Sequence, residues 1–417
     1  MFTRKTTGSL VVLPVLFVCT VVLALLVLSG GCGGALVSLP SSSTGTVAHV
    51  GKPAIPTISK KPVETSLPAG IMRIVGQSGP IWVATPDAVL SAQWEPGSNL
   101  GWLGCSAGTR GERVALWSQE SGQAFLWEPT APDGIIELYE GAAYEIDDMW
   151  MSPLETSLVI NRYDYSMGES GTRVPHIYLV DLAAGRSEEV ACIEGAVAEG
   201  SSITSHVWAP DDSVVLFSVG ELGGDEGFAV FRYAIVGDRL TELDGLSQVW
   251  AVGPEGEVLG CSTGEPIPAR NSPFAAEAAS RPCVVWRGGA LESIAHDPRV
   301  ELWSGGVFSP DGGRVAIECR WWEDGASVRA VEVFVRHDGG WELESTTAMP
   351  GISSLRVRGF AVDGTCVWLE KGIGEFSSGE SRLCRLSLDT GEVVDCVLLP
   401  FPGWGAVRGL AQTCDSG

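Results

Sequence analysis

The chain has 417 residues, with 51 acidic against 27 basic side chains and a net charge of −24. So negative a surface repels phosphate backbones and argues against nucleic acid as a partner, whereas cationic ligands are more easily accommodated. Past the first seventy residues, the remaining length suits one large β domain or two ordinary ones.

In chain order, Arg4 and Lys5 precede an uncharged apolar run, residues 9–28. A run of that length spans a bilayer as a helix and is long for the core of a signal peptide. No Lys or Arg occurs between Lys5 and Lys52, so the positive-inside tendency keeps the N-terminus cytoplasmic and exports everything after residue 32. Leu28-Ser29-Gly30-Gly31-Cys32 resembles a bacterial lipoprotein lipobox, although Ser29 stands where that family prefers leucine. The resemblance implies that Cys32 becomes a lipidated, palmitate-bearing N-terminus at the outer face of the bacterial cell membrane. The alternative is an uncleaved signal anchor with the same topology. Residues 33–69, rich in Ser, Thr, Gly and Pro with Lys52, Lys60 and Lys61, read as a flexible tether. The chain thus divides into a signal or anchor segment (1–32), a tether (33–69) and an all-β domain (70–417).

The β domain repeats itself. Val307-Phe308-Ser309-Pro310-Asp311-Gly312-Gly313-Arg314-Val315 reads as a strand end, a tight turn and a second strand. Proline presets φ at the first turn position, Asp tolerates the next, and Gly supplies the positive φ before the chain reverses. Units at Pro153, Pro210 and Pro254 repeat it, and weaker copies lie at Pro96 and Asp363. Successive spacings are 57, 57, 44, 56 and 53 residues. Later strands follow at matching places, for example His176 to Leu182, then Ala184-Gly185-Arg186, then Glu189 to Ile193. Four strands per interval make a propeller blade.

Ser-Pro-Asp-Gly turns followed by an apolar strand and an Asp-Leu-x-x-Gly hairpin resemble the repeats of TolB-type, WD-like β-propellers, over about residues 70–414. The resemblance implies six four-stranded antiparallel blades, with a strand at Ile71 to Val75 or Ile81 to Ala84 pairing with the last blade to close the ring. A pair of β-sandwiches is the structural alternative.

Eleven cysteines are present, and Cys19 and Cys32 belong to the N-terminal segment, which leaves nine. On the blade frame Cys384 and Cys396 fall on consecutive strands, as do Cys261 and Cys283. Antiparallel neighbours are close enough for a disulfide, and buried free thiols are the other reading.

The sequence offers little chemistry. It has no Gly-x-Ser-x-Gly elbow, no CxxC and no EF-hand spacing, and its five histidines are scattered. No metal and no cofactor is therefore expected. The pairs Asp147-Asp148, Asp211-Asp212 and Glu323-Asp324 read as turn or surface acids, because neighbours in a strand point to opposite faces. Trp150, Trp208, Trp250 and Trp303 recur near blade openings and read as inter-blade packing. Trp321 and Trp322, in a stretch that reads as a loop, are the expected exposed aromatic contacts. No catalytic residue is assigned. Taken together, these features describe a non-catalytic, membrane-anchored lipoprotein that binds a protein, peptide or glycan at the cell envelope. The alternative is a carbohydrate-active lyase or hydrolase using carboxylates or His206 and His296 at the channel mouth.

Overall fold

The computed structural model describes residues 56–399 apart from 63–73, 78–79, 86–87, 94–102, 132–133, 141–144, 165–173, 193–200, 222–228, 266, 269–278 and 374–379. The apolar run, Cys32, the Pro96 unit and Cys414 lie outside the described residues. Among those described, no helix is long and apolar enough to cross a membrane.

Seven four-stranded antiparallel sheets follow one another, over residues 57–93, 103–140, 146–192, 201–242, 246–293, 302–349 and 354–398. The expected number was six. In blades 2 to 7 the strands pair in chain order, and the first strands of successive blades pack against one another. Those strands are innermost, and the molecule is a seven-bladed propeller. A two-residue hairpin, Ile267–Pro268 with Ala279–Ser280, is appended to blade 5.

Five of the expected repeat units sit where the pattern put them, between the inner and second strands of blades 3 to 7. The fourth residue of each turn has positive φ: Glu155 at 60°, Asp212 at 61°, Gly256 at 84°, Gly312 at 70° and Gly364 at 68°. Its N–H donates to the first residue's carbonyl, as from Gly312 to Ser309 at 2.9 Å. Blade 2 reverses instead through Gly108 to Arg113, without proline but with Gly111 at φ 59°. Blade 1 has only a short link between Ile74–Gln77 and Ile81–Ala84. Blades 1 and 2 thus carry none of the expected turn units, and Pro96 falls in the sequence between them, so the units numbered six for seven blades.

The expected closing strand is corrected as well. Ile81–Ala84 pairs with Ile74–Gln77 and Ala88–Gln93 inside blade 1, and not with the last blade. The outer edge of blade 1 is Thr57–Pro62, antiparallel to Ala88–Gln93. That strand lies in the stretch read as tether. Its exposed Lys60 and Lys61 and terminal Pro62 are the polar, proline-blunted composition by which an edge strand avoids further pairing.

Apolar side chains of adjoining blades form the core. Val215, Phe217 and Tyr233 of blade 4 meet Trp150, Val159 and Leu179 of blade 3. The indole of Trp208 donates to the Trp150 carbonyl at 3.3 Å across that seam. Trp250 and Trp303 are partly buried against the cluster shared by blades 5 and 6. All four tryptophans serve packing, as the sequence suggested.

Acids tie the turns together. The Glu155 carboxylate accepts the backbone N–H groups of Glu112 and Arg113 in blade 2 at 3.1 and 2.9 Å. Asp212 accepts the Ser152 and Thr156 hydroxyls, both at 2.6 Å, and the Leu154 N–H at 2.9 Å, all in blade 3. A second set of aspartates caps its own turns. Asp211 accepts from Ser213, Asp311 from Ser309 and Gly313, and Asp363 from Thr365. These hydrogen bonds, from the Ser213 and Ser309 hydroxyls first and from the Thr365 N–H first, hold the three carboxyls below their ordinary values.

Depressed carboxyl values stabilise the fold above the unfolded pKa, about 3.9. That contribution is lost as pH falls through the folded values. The urea midpoint is therefore expected to drop between pH 6 and pH 3. It should drop less in a triple Asp211→Asn, Asp311→Asn, Asp363→Asn variant. An equal drop in both proteins would show that the turn aspartates carry none of the acid sensitivity.

Register sets Cys261 opposite Cys283, and both are buried free thiols, the second of the two readings the sequence left open. Burial pushes Cys261 up to about 12 and Cys283 up as well. Cys384 is disulfide-bonded, and the Cys396 side chain lies outside those described.

Candidate functional site

In blades 3 to 7 each inner strand runs from the face that carries the blade-to-blade connections, the loop face, to a five-residue turn on the opposite, turn face. In blades 3 to 7 the inner strand slips register against the second strand. The slips fall at Asn161/Arg162, at Ile203/Ser205, on both sides of Gln248–Val249, at Trp303/Gly305 and at Val357/Gly359. A β-bulge of this kind re-aims a side chain and is favoured at barrel rims and beside binding sites.

Within two residues of the slips, the second strands carry a belt of equivalent residues. Counting three beyond the residue paired with the last inner position gives Asn161, Ser218, Cys261, Glu318 and Glu370. All five are buried. Asn161 donates to Asp147, which also receives Gln119 at 3.2 Å. Ser218 and Ser205 share a 2.8 Å hydroxyl contact. Ser247 donates to the carbonyls of Cys261 and Ser262. Glu318 receives the Ser304 hydroxyl at 2.8 Å and the Arg356 guanidinium at 3.1 Å. Glu370 is held by Arg358, with Nε at 2.9 Å. Blade 2 has no slip and puts Trp117 at the same place. A Cβ on Gly104 would lie 2.3 Å from that indole, so only glycine fits there.

The belt follows from local sequence. In blades 3, 4, 6 and 7 the second residue of the second strand is apolar, and a polar one breaks the run three positions on: Leu158 to Asn161, Val215 to Ser218, Val315 to Glu318, Val367 to Glu370. Buried polar groups of this kind require partners, and the bulged inner strands supply them. That recurring break in an apolar run is what marks the belt in the sequence.

The residues singled out from the sequence go to different places. Trp321 and Trp322 are not exposed loop residues. Both lie inside the strand Arg314–Glu323, and they are 4% and 8% exposed. Arg299 stacks over Trp321 at 5.1 Å and Arg320 over Trp322 at 4.6 Å. His206 lies between blades 3 and 4, stacked on Trp150 at 4.3 Å with Asp148 3.9 Å from Nδ1. His296 lies between blades 5 and 6, stacked on Trp303, its Nδ1 2.5 Å from the fully buried Glu332. The two histidines occupy different seams and share no site.

Adjacent acids do separate work. Asp147 faces Gln119 and Asn161, whereas Asp148 takes the Met149 N–H and the Trp150 indole. Glu323 ends the strand Arg314–Glu323, and Asp324, with φ 49°, opens the turn into the strand Ala326–His337. Among the described residues no group of three His, Cys, Asp or Glu is placed to hold a metal. On the turn face a cleft of about 620 Å³ opens between blades 4 and 5, beside Leu154, Pro210, Arg232, Pro254 and Glu255.

No protein-family model matches the chain, and no curated protein matches it. Solved structures do. The chain is similar to TolB from Acinetobacter baumannii at 13% identity and TM-score 0.40, over 81% of each chain. It is similar to the Swd1 β-propeller domain of Myceliophteria thermophila at 12% and 0.46, over 74% of this chain and 90% of that one. An oligogalacturonate lyase in complex with manganese aligns at 13% and 0.47, over 81% and 84%. Likeness at this level concerns the propeller scaffold alone, and scaffolds of this kind host unrelated functions.

Proposed function

We propose that the chain is a membrane-tethered, extracytoplasmic propeller that binds a protein, peptide or glycan ligand at its loop face. The tethering and export rest on residues 4–32. The binding end rests on the polar belt. Five successive inner strands bulge against the strand behind them, and in four of these blades, 3, 4, 6 and 7, that second strand carries a buried polar residue at the equivalent position. Repeating a costly irregularity in five blades favours a shared surface, because a bulge disrupts its ladder wherever it occurs. Loops and strand ends on a rigid scaffold are also where recognition concentrates.

The test uses a photo-crosslinking residue introduced one position at a time into the full chain in its native membrane. Ser304 and Ser327 report the loop face, Glu255 and Val362 the turn face. A discrete adduct is expected from the loop-face positions and none from the turn-face positions. Adducts confined to Glu255 and Val362 would move the binding end to the turn-face cleft and overturn the assignment.

A further inference from the structure

Three arginines lie around one carboxylate at the seam between blades 6 and 7. Arg320 and Arg329 are directly opposite each other on paired strands of blade 6. Their side chains leave the sheet on the face that meets blade 7, as do Ala316 and Val331, which pack with Leu355 and Leu369. On that face Arg356, from the inner strand of blade 7, reaches Glu318 at 3.1 and 3.4 Å. Ser304 occupies one Glu318 oxygen as well, so this carboxylate is already spoken for.

Like charges set directly opposite in a sheet repel each other. Both arginines are half-buried, and neither has a carboxylate within ion-pair distance among the described residues. The Arg320 guanidinium carbon sits 4.6 Å from the centre of the Trp322 ring, a cation–π contact that leaves its N–H donors without a carboxylate partner among the described residues. Burial pushes the Arg329 guanidinium below its ordinary value, Arg320 and Arg356 push it the same way, and Glu318 opposes them. Three cations against one anion leave a positive excess where the chain as a whole is negative. Planar guanidinium groups bind carboxylate and phosphate oxygens in pairs.

We propose that Arg320, Arg329 and Arg356 form an anion-binding site for a ligand bearing carboxylate or phosphate groups, seated on the loop face over Glu318. The proposal names the ligand chemistry for the binding end assigned above and rests on that assignment. Its physical content is that the Arg320–Arg329 repulsion is relieved only when the anion is bound.

The experiment is calorimetric titration and thermal unfolding of the full chain in detergent, with citrate, with inorganic phosphate and with sodium chloride at matched ionic strength. The wild-type protein is expected to bind citrate or phosphate and to unfold at a higher temperature in its presence. Chloride should do neither. Which of the two anions binds more tightly identifies the class of group. Arg329→Gln is expected to weaken binding at least tenfold and to unfold, without anion, no lower than wild type, because it removes a like-charge contact. The exposed Arg239→Gln serves as the control and should bind as wild type does. An equal response to chloride, no heat with either anion, or an Arg329→Gln variant that is destabilised without anion would each overturn the site. Loop-face crosslinks without anion binding would sink this proposal alone. Anion binding lost in Arg329→Gln, together with crosslinks confined to the turn face, would instead sink the wider assignment of the binding end.

Discussion

Asp212→Ala is expected to lower the unfolding free energy by about 3–5 kcal/mol, because it removes a charged acceptor from three donors at once. Ser152, Thr156 and the Leu154 N–H all point at this carboxylate, and Asp212 is only 8% exposed. A hydrogen bond to a charged group contributes roughly 1.5–3 kcal/mol, and donors left unpaired in a buried place add their own desolvation cost. Backbone strain adds about 1 kcal/mol more, since residue 212 has φ 61° and alanine tolerates that region less well than Asp or Gly. The two effects separate cleanly. Asp212→Gly relieves the backbone but still loses the clamp, so it should be less harmful than alanine by about 1 kcal/mol and still well below wild type. Urea unfolding with an unchanged slope measures both. A loss under about 1 kcal/mol for Asp212→Ala would mean that the blades do not depend on the latch.

The second large effect concerns Glu332. This fully buried carboxylate takes the His296 ring at 2.5 Å and the Asp297 N–H at 2.8 Å. Glu332→Leu alone or His296→Phe alone leaves one member of the pair without its partner inside the protein. Each is expected to cost about 3–5 kcal/mol. The double variant replaces the pair by apolar side chains beside Trp303 and Phe334, which already stack on His296 or meet it edge-on. Its cost should fall short of the sum by about 1–3 kcal/mol. Strict additivity in the double-mutant cycle would show that the contact is incidental.

These buried acids mark the limit of what the sequence disclosed. Turn residues announced themselves because proline, aspartate and glycine act through local φ, and five turns were placed correctly on that ground. The Gly108 to Arg113 turn was invisible because it reverses through Gly111 at positive φ with neither proline nor aspartate beside it. Trp321-Trp322 misled for a different reason. In a propeller, both faces of a middle strand are covered by neighbouring blades, so two adjacent large side chains can both be buried, and alternation is lost. Nor could local sequence say that Glu318 meets Arg356, or that Asp212 turns back to blade 3. Those partners lie 38 and up to 60 residues away, and only the assembled seams bring them together.

Among the described residues, every sheet is built from one uninterrupted stretch of chain, including the first, whose outer edge is Thr57–Pro62. No blade waits for a strand from the far end of the polypeptide. As the chain is delivered from its N-terminus, each sheet can therefore be finished before the next begins, and the long-range closure that slows many all-β folds is deferred to side-chain packing between completed units. The same modularity allows a unit to be gained or lost at either end without any existing strand changing its hydrogen-bonded neighbours.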